Sequence, residues 1–560
     1  MLVWLGLAGL SLLAAHRDVR AGLRSIESAR RGADVSAVVE GRLLPELRVA
    51  RARFGGAHER VSGLLLAPVR VLPVVGRQIR SVRALSGAAA GVSDTAIAGM
   101  TEARPILAEP GRDNAALAST ARRLGDLAAR ADGELARLRL GPREGLLTPL
   151  ADARNRLTLQ LAELRDSLGK GGTAGTALAD VLTGPRRYLL FAANNAEMRA
   201  GSGMFLSAGE LETGPDGMRL TQVRSVTDIP VPPGSVPLEG DLADRWGWLA
   251  PNVEWRNLMT SPRFDAAAPL AAQMWVAAGN RPVDGVIALD PVALRGLLSA
   301  TGAVDVDGRR IDEGNVEKYL LHDQYARFSA EDLSGRRDDL GRVATAVFAS
   351  LDAGSWSLPK LASGLASAGG GRHLLMWSAQ PTEQAAWQAL AVDGSLRPDS
   401  VLLSVISRTG NKLDQFLRVA ADVVVRQAGD DSEVTLTVRL ENRVPEGEPP
   451  YVVGAEPRSG VAERVYLGIL AVNLPAGARD ARFEGVESLA VAGGDGPSQV
   501  MGFQLTLEPG ASQVAVARFR LPGHTGSFRI EPSARVPAIA WTMGDVSWSD
   551  YSVRLLAYRA

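Results

Sequence analysis

The chain contains no cysteine, which excludes disulfides, thiolate nucleophiles and thiolate-ligated zinc or iron–sulfur centres. Lysine is nearly as scarce: Lys170, Lys318, Lys360 and Lys412 are the whole set, and arginine carries almost all the positive charge. Formal net charge is +0, which argues against a nucleic-acid binder that works by phosphate neutralisation. The histidines (His16, His58, His322, His373 and His524) are scattered without an H-x-x-x-H pair, so a zinc hydrolase is not expected. No G-x-S-x-G elbow, Walker loop or helix-opening G-x-G-x-x-G occurs. Asp305-Val306-Asp307-Gly308 has two spaced carboxylates but lacks the further oxygen ligands of a calcium loop, and reads as a hairpin turn.

What is present begins with an apolar N-terminus. Residues 1–15, MLVWLGLAGLSLLAA, are uncharged, and His16, Arg17, Asp18 and Arg20 then open a polar helix. Fifteen helical residues reach roughly 22 Å, against ~30 Å of bilayer hydrocarbon. The basic n-region of a secretory signal is missing. The run is read as a membrane helix truncated at its start, with a buried N-terminal helix as the alternative.

With 560 residues the chain exceeds one core. Residues 16–175 carry arginine-studded helical periodicity, interrupted by Pro68 and Pro73 and ending in the flexible break GKGGTAG at 169–175. This part reads as a helical stalk or bundle. Residues 181–410 mix strand candidates (188–193, 204–211, 218–226, 285–289, 373–378, 401–406) with helices, which predicts a layered α/β/α domain. Residues 411–560 read strand upon strand between Pro/Gly turns, as in a β-sandwich. The predicted fold class is therefore α/β, preceded by an N-terminal membrane helix and helical stalk and followed by a β-sandwich-like domain.

The candidate site lies where the apolar run 188–193 ends in Asn194, Asn195, Glu197 and Arg199. Amides, a carboxylate and a guanidinium gathered at a strand end suit ligand binding; satisfied turn residues are the plain alternative. Arg199, Asp228 at the end of the third strand, and the helix start Arg336, Arg337, Asp338, Asp339 and Arg342 together suit a phosphate or pyrophosphate held by arginines, with a carboxylate on Mg²⁺. The same helix start also reads as a solvated ion-pair face, since Asp338 and Arg342 are i, i+4 partners.

Several segments carry a family resemblance: RRYLLFAANNAEMRAGSGMF at 186–205, PNVEWRNLMTSPRFDAAAPLAAQMW at 251–275, VDGVIALDPVALRGLLSATGAVDVDG at 283–308, LPVVGRQI at 72–79 and NKLDQF at 411–416. On these the chain resembles the domain of unknown function 4012 family of bacterial membrane-anchored proteins. The resemblance implies a single-pass cell-membrane protein with most of its mass extracytoplasmic, in the cell envelope. A remoter similarity, in the order strand, Asp290, helix, LLSATGAVDVDG and in GRRDDLGRVATAVFASL at 335–351, is to LytR-CpsA-Psr proteins. It implies transfer of a polyprenyl-pyrophosphate-linked glycopolymer to peptidoglycan, Arg337 and Arg342 gripping pyrophosphate and Asp228 holding Mg²⁺. Thr227 stands where that family has an arginine, so Arg224 or Arg199 would substitute. The competing reading is a non-catalytic assembly or adhesion module.

Overall fold

The computed structural model describes residues 2–31, 35–108, 113–221, 223–326, 339–354, 356–454 and 460–559. It divides into two compact units, Met1–Thr183 and Gly184–Ala560.

The first unit is helical: α1 (Leu2–Arg31), α2 (Val35–Glu40), α3 (Leu44–Ser62), α4 (Val75–Ala108), α5 (Asn114–Ala136) and α6 (Thr148–Thr183). Each long helix packs on the next, α1 on α3, α3 on α4, α4 on α5 and α5 on α6. Pro68 and Pro73 end helical continuity between α3 and α4, where two 3-10 turns, Leu64–Leu66 and Pro68–Val71, take over. GKGGTAG does not break the chain, because α6 runs through it. Its glycines are a packing surface instead: a Cβ on Gly175 would collide with the Ala121 carbonyl and Gly125 of α5, and Gly125 in turn faces the Gly172 carbonyl. Close backbone approach accounts for Gly172 and Gly175, while a Cβ on Gly169 would meet open space.

In the second unit β1 (Arg186–Met198), β2 (Gly203–Gly214), β3 (Gly217–Leu220), β4 (Arg224–Ser225), β5 (Gly285–Leu289) and, after the small hairpin β6 (Val304–Val306) and β7 (Arg309–Ile311), β8 (Leu374–Ser378) build the first sheet. Its order is β3-β2-β1-β5-β8, with β4 beside β2. Phe191 stacks on Phe205 at 4.5 Å, and after the short helix α7 (Gly240–Trp246) helix α8 (Phe264–Ala277) packs on β5 and β8. The β6–β7 turn is the hairpin expected at 305–308: Asp305 Oδ1 accepts from Gly308 N at 2.9 Å, and Asp307 takes φ 53°.

Two six-stranded sheets follow. Strands β9 (Ser400–Ser407), β10 (Leu417–Ala428), β11 (Asp431–Asn442), β12 (Tyr466–Pro475), β13 (Arg479–Phe483), β14 (Val491–Asp495), β15 (Ser498–Leu507), β16 (Ser512–Pro522), β17 (Thr525–Ile530), β18 (Ala540–Met543), β19 (Val546–Ser549) and β20 (Arg554–Arg559) pair as β13-β16-β11-β10-β18-β19 and β14-β15-β12-β9-β17-β20. They share a core in which Leu436, Phe519 and Trp541 of one sheet meet Tyr466, Phe503 and Phe528 of the other. Strand β11 alternates, with Val434, Leu436, Val438 and Leu440 inward, as a one-faced strand must. Strands β9 and β12 are buried almost throughout because their outer face is covered too: Ile406, Ile469 and Ala471 pack with Ala200, Trp246 and Leu249.

This corrects the predicted fold class. Among the described residues no helix is long and apolar enough to cross a membrane, so an N-terminal membrane helix is not supported. The apolar stretch of α1 ends at Ala15 and its remaining turns carry Arg17, Asp18, Arg20 and Arg24. Nor is the first sheet a βαβ array of a layered α/β/α domain. Only β1 and β5 pair in parallel; β2, β3, β4 and β8 all join antiparallel. The sandwich does not stand apart either, because β9 enters its sheet from ahead of residue 411, and Ala200 at the end of β1 is part of its outer packing. The architecture is a set of helices followed by mixed sheets within one second unit.

Candidate functional site

Strand β1 runs on past its apolar core, so Asn194, Asn195 and Glu197 are strand residues with at most 3% of their surface exposed. Buried polar groups must find partners, and here the partners come from far along the chain. Asn194 Nδ2 donates to the Tyr325 hydroxyl at 2.6 Å and lies 3.5 Å from Glu197 Oε2, while its Oδ1 accepts from Ala196 N at 3.0 Å. Glu197 Oε2 pairs with Lys412 Nζ at 2.7 Å, and the ammonium sits over the Tyr325 and Tyr451 rings at 5.2 and 5.1 Å. Asn195 Nδ2 donates to Asp290 Oδ2 and to the Ala534 carbonyl, both at 2.7 Å.

Asp290 is a hub. Its Oδ1 caps helix α9 (Pro291–Thr301) by accepting from Val292 N and Ala293 N, and its Oδ2 also meets His373 Nδ1 at 2.6 Å. Burial would lower the His373 pKa, but the adjoining Asp290 carboxylate outweighs it and the net shift is upward. A second carboxylate, Asp414, accepts from Met198 N at 2.9 Å, from the Tyr466 hydroxyl at 3.0 Å and from Arg535 Nη1 at 2.7 Å. Its desolvation raises its pKa against the pull of Arg535.

The remaining sequence candidates lie elsewhere. Arg199 is buried and spent on oxygens of the protein itself: the Arg256 carbonyl at 2.7 Å, Ser407 O at 2.9 Å, Met198 O at 3.1 Å and Asn257 Oδ1 at 3.2 Å. Burial pulls its pKa down to about 10, so it stays a cation at neutral pH. Arg224 and Asp228 are exposed; Arg224 reaches Asn280 Oδ1 at 3.4 Å, and Asp228 accepts from Thr227 Oγ1 at the same length. Arg342 pairs with Asp339 and with Asp307 of the β6–β7 turn. Arg336, Arg337 and Asp338 lie outside the described residues. Asn194, Asn195 and Glu197 thus come together, with Arg199 at the same strand end but facing other partners. Among the described residues no group of three or more His, Asp or Glu is arranged to hold a metal ion.

Residue types alone did not single out Lys412, Asp414, Tyr325 or Arg535. The fingerprint NKLDQF did contain the first two, and Asp290 was marked by the proline after it. Larger open space lies away from this network, in a groove of about 790 Å³ at the start of β1 lined by Arg187, Glu212, Arg219 and Asp352.

A smaller hollow of about 440 Å³ holds His322, whose Nδ1 and Nε2 lie 2.9 Å from Asp323 and 2.7 Å from Glu448. Burial opposes protonation here, but the two carboxylates together raise the His322 pKa above 6.5. The stabilisation this confers is complete below the unfolded value of 6.5 and is lost as pH rises through the higher folded value. Thermal midpoints of the intact chain should therefore fall across that window, and the fall should shrink in His322→Gln. Equal slopes in the two proteins would refute the linkage.

At the opposite extreme of burial, Leu64, Val71 and Val74 are 91%, 81% and 68% exposed, and Leu65, Leu72 and Val75 are also exposed. The Leu64–Leu66 turn packs beside α1, with Ala15, Val61 and Leu66 in one cluster. One end of the helical unit is therefore an apolar surface.

Comparison with curated proteins and with solved structures gives no match, so a likeness to LytR-CpsA-Psr proteins is not shown. Residues 183–325, which hold β1, its polar end and the Asp290 hub, match the family described as "Protein of unknown function (DUF4012)".

Proposed function

We propose that the chain is a non-catalytic interaction module of the bacterial cell envelope, held against a lipid surface by the apolar end of its helical unit. The second unit is then a rigid platform for an envelope partner such as peptidoglycan or a lipid-linked glycopolymer. The observation that carries this reading is that Leu64, Val71 and Val74 face solvent, with the Leu64–Leu66 turn packed against α1. Contiguous apolar surface on a folded unit marks a contact site, and a lipid interface accepts a helix that does not span it. Support for a non-catalytic role comes from Arg199, Glu197 and Arg342, whose charged groups are engaged by the protein's own atoms.

Flotation of the intact chain with anionic phospholipid vesicles tests it. The protein is expected to float, and a Leu64→Glu, Val71→Glu, Val74→Glu variant should bind more than roughly tenfold more weakly, since each apolar side chain contributes about 1.5–3 kcal/mol when buried. These side chains are exposed, so the variant keeps its fold. Wild-type protein left at the bottom of the gradient, or a variant that floats equally well, ends the lipid reading. Binding of polyprenyl pyrophosphate that requires Mg²⁺ and is lost in Arg342→Ala would instead restore the transferase reading.

A further inference from the structure

We propose that Lys412 and Asn194 condense, with Glu197 as proton carrier, into an isopeptide bond that joins the end of β1 to the segment leading into the Leu413–Gln415 turn. The inference is independent of the lipid-contact reading. It rests on three side chains meeting in a closed space. Lys412 Nζ is 2.7 Å from Glu197 Oε2, and Asn194 Nδ2 is 3.5 Å from that same oxygen, so amine and amide are neighbours on one carboxylate. The Lys412 and Glu197 side chains are 5% and 4% exposed, and Asn194 is 1% exposed. Tyr325 and Tyr451 rings line the ammonium.

Glu197 takes a proton from the Lys412 ammonium 2.7 Å away, which leaves a neutral amine and a neutral acid. The Nζ lone pair then attacks Asn194 Cγ, and the carbonyl π pair moves onto Oδ1. That oxygen already accepts from Ala196 N at 3.0 Å, a donor aimed where negative charge develops. The acid gives its proton to Nδ2 and the carboxylate takes one from the new C–N nitrogen. The pair on Oδ1 returns, the Cγ–Nδ2 bond breaks, and ammonia departs with the bonding electrons and collects the last proton from Glu197. A primary amide and an ammonium become a secondary amide and an ammonium ion, with nothing oxidised or reduced. Fixed proximity supplies what the reaction lacks in solution.

The neighbouring amides do not compete. Asn195 is held by Asp290 and Ala534, and the Asn411 amide donates to Val465 O. In a chain without cysteine, such a bond would be its covalent tie between the first sheet and the sandwich.

Tryptic digestion of the unfolded full chain followed by mass spectrometry is decisive. The expected result is one joined species of residues 188–199 and 409–418, lighter than its two parts by one ammonia and uncut at Lys412. Glu197→Gln should return the two peptides separately, with cleavage restored after Lys412. Separate peptides from the wild-type chain overturn the proposal. So does loss of ammonia without a joined species, which would be succinimide formation at an asparagine. A joined species that persists in Glu197→Gln would remove the carboxylate from the chemistry. Because the wild-type digest decides the bond alone, a variant that fails to fold costs nothing.

Discussion

Replacing Asp414 with alanine is expected to destabilise the second unit by about 3–5 kcal/mol, the cost of leaving a buried charge without its partner. Arg535 is 1% exposed and Asp414 fully buried, and their pair at 2.7 Å is supported by Met198 N and the Tyr466 hydroxyl on the same carboxylate. Removing the carboxylate leaves a buried guanidinium facing the Asp414 and Leu417 carbonyls without that counter-charge. The measurement is urea unfolding followed by tryptophan fluorescence. Every tryptophan except Trp4 lies beyond residue 184, so the signal reports the second unit. Asp414→Leu combined with Arg535→Met should recover much of the loss, because apolar replacement of a buried pair is close to neutral. A shift below about 1 kcal/mol in Asp414→Ala, the range of surface pairs, would mean that water reaches the pair.

Asp290→Ala should cost a similar amount for a different reason. The variant loses a helix cap, about 1 kcal/mol, and leaves buried donors of Asn195 and His373 unsatisfied at about 1–3 kcal/mol each. Asp290→Asn keeps an oxygen for the α9 cap and should lose roughly half as much. The pH dependence separates the two contributions. In the wild-type chain His373 has a raised pKa, so its stabilisation is full below its unfolded value and falls away as pH rises through the folded one. In Asp290→Ala that fall should vanish while the cap loss persists at every pH. A pH profile parallel to wild type would show that Asp290 does not hold the His373 charge.

Much of the local structure was legible in the sequence. The runs 285–289 and 401–406 correspond to β5 and β9 within a residue, because apolar or β-branched residues between turn signals leave little choice. The same logic misled at Asn194 and Asn195. Polar residues after an apolar run signal a turn when only neighbours are considered, yet β1 continues to Met198 because Asp290, Tyr325, Lys412 and Ala534 supply partners that no local window contains. GKGGTAG failed in the opposite direction: glycines that locally suggest flexibility serve close packing of α6 on α5. Strand direction was not legible at all. Helices between strands suggested parallel crossovers, but β8 runs antiparallel to β5. Asn194, Asn195 and Glu197 do gather at one strand end, while Arg199, Arg224, Asp228 and Arg342 each have separate partners.

The partners of β1 also set an order of events during synthesis. Asn195 bonds to Ala534, and the Asp414 carboxylate that receives Met198 N is balanced by Arg535. The first strand of the second unit therefore finds these partners only after the ribosome has passed residue 535. Until then its end carries unpaired amides and an unbalanced carboxylate, and the nascent chain has reason to remain available to chaperones. Emergence of Ala534 and Arg535, rather than of each sheet, becomes the moment at which the end of β1 can close.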